Sequence, residues 1–250
     1  GSYITIVTTV SSDILHDNST AVFVKLGQRG DEAAYQVEVV PFPSDYFEYK
    51  GTVKTGRFDP EKDLQGSFNL SLKKELMQGY YPVVLKTIYH DANMYPFSVL
   101  SSLYVINVIG NESSVCGNMN MVEVAQDGSA ENVLKIKNTG DTQKEVKIRL
   151  YLPAELGSEE KRKTVVLGPK EEKEIRYSIK SIGALPGSSY SILASLEYEK
   201  DYHYTSFARG TVKIVEKKEG LGLIWILITL FIVLFVLFVY LKWSVRGVKK

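Results

Sequence analysis

The sequence predicts an all-β ectodomain of two tandem β-sandwiches followed by a single C-terminal transmembrane helix. Three observations carry this. Apolar and polar residues alternate with a period of two over most of the chain. A set of landmarks recurs after about 110 residues. A long uncharged stretch, Gly220 to Leu241, lies close to the C-terminus between Glu219 and Lys242.

The alternation is clearest where Lys147 and Arg149 interleave with Val146, Ile148 and Leu150, and where Arg176, Ser178 and Lys180 interleave with Ile175, Tyr177 and Ile179. A period of two puts one side of each strand in a core and the other in water, the pattern of antiparallel sheets. Gly, Pro and Asn punctuate these runs. Asn138-Thr-Gly140-Asp141 reads as a turn because Asn and Gly tolerate positive φ, and Leu167-Gly-Pro-Lys170 reads as another. Pro43 and Pro153 close strands at edges, where no ladder donor is needed. Lys73 to Gln78 reads as one helical turn.

The repeat aligns Val24-Lys-Leu26 and Gly30-Asp31 with Leu134-Lys-Ile136 and Gly140-Asp141. It then aligns Tyr35, Val37, Val39 and Pro43 with Val146, Ile148, Leu150 and Pro153, and Ser71-Leu-Lys73 with Ser178-Ile-Lys180. Each copy ends in a long strand, a polar turn and another long strand. The expected boundaries are 1–110 and 111–218 for the sandwiches, 219–243 for the transmembrane helix and 244–250 for a short basic tail.

A helix over the uncharged stretch is about 33 Å long, enough for a hydrocarbon core of about 30 Å. Trp225 near one end and Tyr240 and Trp243 near the other are placed as interfacial anchors, with Lys242 and Arg246 at the tail side. The acid-free tail, with Lys242, Arg246, Lys249 and Lys250, predicts a cytoplasmic C-terminus and an extracytoplasmic N-terminus. That orientation implies export and a removed signal peptide. The expectation is a single-pass cell-membrane protein whose first partner is the bilayer. The segment from Lys217 to Gly222 is a short linker that holds the second sandwich at the membrane.

The chain has 30 Lys and Arg against 29 Asp and Glu, a net charge of +1, and this balance argues against nucleic acid as a partner. The one cysteine, Cys116, rules out an intrachain disulfide and reads as a buried or inert thiol. Sequons at Asn18, Asn69 and Asn111 make these residues candidates for N-linked glycans. Sequons without disulfides point to an archaeal surface glycoprotein.

The run Val133 to Asp141, then Val146 to Pro153, Leu167 to Ile175 and Leu185-Pro-Gly-Ser-Ser-Tyr190, resembles the CARDB-type and related Ig-like modules of prokaryotic surface proteins. The resemblance covers Asn118 to Val215, and the first repeat shares it only over Gly79 to Ile109. Gly168-Pro169-Lys170 stands where the family has proline-glycine-glutamate, and Pro41 to Asp63 departs from the pattern. The resemblance implies Ig-like sandwiches in tandem outside a membrane, and no shared catalytic residues.

Chemistry is sparse. No zinc, calcium, P-loop, nucleophile-elbow or dinucleotide motif occurs, so no catalytic residue, metal site or cofactor is expected. His90 beside Asp91, and Asp201 beside His203, fall in corresponding turns and read as solvated residues rather than a divalent-ion site. The mixed-charge runs Glu159 to Lys163 and Lys170 to Glu174 read as solvated hairpin surface. Tyr46, Tyr49, Tyr202 and Tyr204 sit beside turns and are the candidate partner or sugar contacts. The expected role is a non-catalytic accessory or scaffolding module docking onto other membrane or envelope proteins. The alternative is an adhesive or carbohydrate-binding surface glycoprotein.

Overall fold

A computed structural model describes residues 3–108, 112–216 and 229–238. The first sandwich is built from β1 (Ile6–Ser12), β2 (Ser19–Gln28), β3 (Ala34–Pro41), β4 (Phe47–Lys50), β5 (Val53–Phe58), β6 (Asp63–Leu72), β7 (Gly79–His90) and β8 (Pro96–Asn107). The second uses β9 (Val115–Met119), β10 (Val122–Ala125), β11 (Ser129–Asn138), β12 (Lys144–Tyr151), β13 (Leu156–Gly157), β14 (Arg162–Leu167), β15 (Glu172–Ser181), β16 (Ser189–Glu199) and β17 (His203–Val215).

Sheet order makes the repeat explicit. In the first sandwich β1-β2-β6-β4 faces a layer ordered β8-β7-β3-β5. In the second, β9-β11-β15-β13 faces β17-β16-β12-β14, with β10 added in parallel on β17. Both follow the Ig-like plan of two facing antiparallel sheets, and both leave the third long strand for the opposite sheet and return. Each encloses its own core. Val22, Leu26, Phe47, Phe68, Tyr81 and Leu85 centre the first, and Leu134, Ile136, Ile148, Leu167, Ile179 and Ile192 the second.

The turn after β11 is held by a different device from the one its sequence suggests. Neither Asn138 nor Gly140 has positive φ. Asn138 is fully buried; its Nδ2 donates to the carbonyls of Thr142 and Gly168, both at 2.8 Å, and its Oδ1 accepts from Gly140 N at 3.0 Å. Gln28 fills the same role after β2, accepting from Gly30 N at 2.8 Å and donating to the Glu32 carbonyl. A buried amide must find partners for both ends, and here those partners are the turn backbone. Residues 73–78 form no helical turn; they are an irregular link from β6 to β7.

The longest breaks in alternation fall in two strands. β15 alternates cleanly, but β16 is buried continuously from Ile192 to Tyr198, and β7 from Tyr81 to Leu85. The outward side chains of these strands have been taken out of water by the neighbouring sandwich. Val84 and Leu100 pack with Tyr151 and Leu193, and Phe42 and Phe207 border the cluster. Burial of an aliphatic side chain such as Val84 or Leu193 is worth about 1.5–3 kcal/mol. β17 also bridges β7 at His203 and Gly79, merging the two layers into one nine-stranded sheet. Residues 1–216 accordingly form one compact unit, and residues 217–250 form another.

The expected transmembrane helix is corrected. The helix among the described residues spans 229–238, a rise of about 15 Å, half of what a hydrocarbon core requires. No helix among the described residues is long and apolar enough to cross a membrane. Apolar composition confers only a capacity for burial; a span also requires about 20 residues of continuous helix. Residues 217–228 and 239–250 lie outside the described residues, and with them Trp225, Tyr240, Lys242, Trp243 and Arg246.

Gly79 is the tightest point of the bridge. Its φ is +141°, and a Cβ there would lie 2.0 Å from the carbonyl oxygen of His203. Gly79→Val is expected to part β17 from β7, since neither the conformation nor the space admits a branched side chain. Calorimetry should then resolve two transitions in place of one cooperative unfolding. A single transition at an unchanged temperature would show that the bridge does not couple the sandwiches.

Candidate functional site

The richest chemistry among the described residues lies where the sandwiches meet. Three elements build it. The loop between β3 and β4 brings Ser44, Asp45 and Tyr46 from the first sandwich. The start of β7 brings Tyr81. The hairpin of β16 and β17 brings Ser195, Glu197, Glu199 and His203 from the second. Ser44 folds the loop locally, its Oγ accepting from the backbone N–H groups of Tyr46 at 3.1 Å and Phe47 at 3.3 Å.

Glu197 is the hub. Its carboxylate is almost fully buried, and a buried charge must be compensated. Tyr46 Oη donates to Oε2 at 2.8 Å and Ser195 Oγ donates to Oε1 at 2.8 Å. His203 Nε2 lies 3.3 Å from Oε2, outside hydrogen-bonding geometry. On its other side His203 Nδ1 is 3.5 Å from Glu199 Oε1. The imidazole stacks on Tyr81 with centroids 4.2 Å apart and planes 7° from parallel, and Tyr46 meets it edge-on at 5.3 Å. His203 is only 2 % exposed, so it is not a solvated turn residue. Its backbone N–H donates to the Gln78 carbonyl at 2.8 Å, and Thr205 Oγ1 donates to the Tyr80 carbonyl at 2.7 Å.

The phenols record this environment. Burial is the first cause that drives the Tyr46 pKa far above its ordinary value, followed by the Glu197 charge and the bond to it. Burial likewise raises Tyr81, helped by Glu199 and Glu197.

Beside this cluster a cleft of about 260 Å³ opens between Asp45 and Tyr46 on one side and the outer surface of β12 and β14 on the other. Lys147, Arg149, Arg162, Lys163 and Thr164 line it. Arg162 Nη2 lies 3.1 Å from Asp45 Oδ1, and Arg149 Nη1 4.0 Å from Asp45 Oδ2. A second contact between the sandwiches buries Glu155, which accepts from Ser98 Oγ at 2.5 Å while the Ala154 N–H donates to the same hydroxyl at 2.9 Å.

The residues singled out in the sequence scatter relative to this site. Tyr46 is at its centre. Tyr49 is half-buried against the first core, and burial raises its phenol to about 12. Tyr204 is 7 % exposed and stacks on Tyr198 at 4.8 Å, with Tyr202 edge-on to it. The four rings therefore form no shared exposed platform. Asn18 and Asn69 are exposed, the first in a left-handed turn with φ +64°, and Asn111 lies outside the described residues. Cys116 is exposed on β9, not buried, because its side chain falls on the wet side of that strand. His16 is exposed beside Asp17. His90 and His203 adjoin opposite ends of β7, roughly 36 Å apart by strand rise. No group of three or more His, Cys, Asp or Glu among the described residues is placed to hold a metal.

Tyr81, Glu197 and Asp45 were not singled out as site residues from sequence; Arg149 was read only as the wet side of a strand and Arg162 only as part of a solvated mixed-charge run. Tyr46 and Glu197 are 151 residues apart, and Asp45 and Arg162 are 117 apart. The usable signal was register: Arg149 and Arg162 both fall on outward positions of alternating strands.

No family model and no curated protein matches the chain. Of the CARDB-type resemblance, what stands is its coarse part, an Ig-like β-sandwich, read from the strand order above. Among solved structures, the PapD-like domain 7 of human CEP192 is similar at 10% identity, covering 46% of this chain and 96% of that one, with a TM-score of 0.34. A Porphyromonas gingivalis protein of unknown function gives 11% identity, 82% and 98% coverage and a TM-score of 0.31. A Salmonella alpha-2-macroglobulin mutant gives 12% identity and a TM-score of 0.37, covering 84% of this chain, which spans only 16% of that protein. Likenesses this low carry no argument about function.

Two outcomes are expected at the hub. Tyr46→Phe removes the donor to a buried carboxylate and should cost about 1.5–3 kcal/mol, read from urea unfolding midpoints. The folded Tyr46 and Tyr81 phenols ionise above the ordinary 10.0, so above that pH the folded state binds more protons than the unfolded one. Their stabilisation is complete below about pH 10 and should fall as pH rises further. Midpoints measured from about pH 8 to about pH 11 should decline, and less steeply in Tyr46→Phe.

Proposed function

We propose that this chain is a non-catalytic interaction module in which two Ig-like sandwiches act as one rigid scaffold for a partner protein within a larger assembly. The observation that carries this reading is the burial of the outward surfaces of β7 and β16 against each other. Sandwiches on a flexible tether keep those surfaces wet. Here they are covered, with Val84, Leu100, Tyr151 and Leu193 in one buried apolar cluster, so surfaces on both sandwiches are offered at one fixed spacing. Inter-domain contacts are mobile by default unless they are extensive and apolar, and this one adds a sheet bridge, a stacked imidazole and a buried carboxylate. Ig-like sandwiches bind through strand edges, loop ends and outer sheet surfaces without needing catalytic groups.

The full chain, tagged and used to capture proteins from its source cells, should retain a stoichiometric partner. Leu193→Asp, which places a charge in the apolar contact, should lose that partner while circular dichroism still reports folded β-structure. Equal retention by the wild type and Leu193→Asp would overturn the scaffold reading, because binding would then not need the fixed spacing.

A further inference from the structure

We propose that Arg149 and Arg162 form a carboxylate clamp for an acidic peptide segment of a partner protein, with Asp45 as the chain's own stand-in for that ligand. This deepens the interaction-module reading and rests on it.

Arg149 on β12 and Arg162 on β14 are direct cross-strand partners. Both occupy outward positions, because Ile148 and Leu150 on β12, and Leu167 on β14, point into the core. Like charges directly opposite one another destabilise an antiparallel pair. Lys147 adds a third cation on the same surface, between Thr164 on β14 and Glu197 on β16, and makes no ion pair among the described residues. Lys163 faces the other way, over the Tyr177 ring, donating to the Arg176 carbonyl at 3.0 Å.

One acid bridges the two arginines. Asp45 reaches across from the first sandwich and offers one oxygen to each guanidinium. That is how a carboxylate bridges two arginines. Arg149 is held ready, its side chain 19% exposed and its guanidinium 5.2 Å above the Tyr151 ring. Arg162 and Asp45 are each more than half exposed, so the bridge can open without burying anything. The cleft beside them, about 260 Å³, has room for incoming acidic side chains. Glu197, the remaining acid on its wall, is already bonded to Tyr46 and Ser195. A stacked, planar fork favours a carboxylate of defined orientation over a diffuse anion.

The test titrates the full chain with a fluorescein-labelled hexaglutamate peptide at low ionic strength and reads anisotropy. Hexaglutamine and a short single-stranded DNA serve as comparators. Hexaglutamate should bind, hexaglutamine should not, and added salt should weaken binding. Asp45→Asn, which vacates the clamp, should tighten binding about tenfold. Arg149→Lys with Arg162→Lys keeps the charge and loses the fork, and should weaken binding about tenfold while the protein stays folded by circular dichroism. Three results would each overturn the proposal: hexaglutamate bound no better than hexaglutamine, Asp45→Asn without tightening, or DNA bound more tightly than the peptide. Loss of the captured partner in Leu193→Asp alongside a failed peptide titration would leave the scaffold standing and remove only the clamp.

Discussion

The two sandwiches are held to one another by a buried apolar cluster that joins Val84 of β7 and Leu100 of β8 to Tyr151 of β12 and Leu193 of β16. Val84 and Leu100 on one side and Tyr151 and Leu193 on the other have no alternative place out of water. Once they are buried, the rest of the junction follows. β17 is brought alongside β7, Gly79 can admit the His203 carbonyl, and Tyr46 reaches across to Glu197. The polar contacts alone would not hold the contact closed, since exposed ion pairs such as Asp45 with Arg162 are worth about 0–1 kcal/mol.

A charge inside that contact carries a risk which the surrounding residues manage. Glu197 keeps hydrogen-bond donors on both oxygens, and His203 lies against it between two tyrosine rings. Breaking such a cluster by removing one member is more costly than never having built it. It therefore orients the two sandwiches more than it strengthens their association. The bond from Tyr46 to Glu197 crosses the junction and has a direction, whereas apolar side chains tolerate sliding.

The same plan is used twice in the chain with different consequences. Gln28 and Asn138 brace equivalent turns with a buried amide, and the two sandwiches share strand order down to the crossing of the third strand. The sandwiches differ in what their outer surfaces carry. On the second, β12 and β14 place two arginines and a lysine in one patch, and the loop before β4 of the first lays Asp45 over it. The basic patch and its acidic cover thus come from different copies of the repeat.

Much of this was legible in the residues themselves. Alternation over Val146 to Leu150 and Ile175 to Ile179 identifies strands with one buried side, because the pleat has a period of two. The spacing from Gly30-Asp31 to Gly140-Asp141 identifies the repeat, because equivalent turns need equivalent residues. The uncharged stretch before Lys242 was legible as apolar and read as a span, whereas the helix among the described residues, 229–238, is too short to be one. What only the tertiary structure decided is everything that depends on which surfaces meet. That His203 is buried while Cys116 is exposed, and that Tyr46 lies against Glu197, are facts about pairs far apart in the chain. Local pattern says that a side of a strand is apolar or charged. It cannot say which distant side will cover it, because that choice is made by the packing of whole sheets.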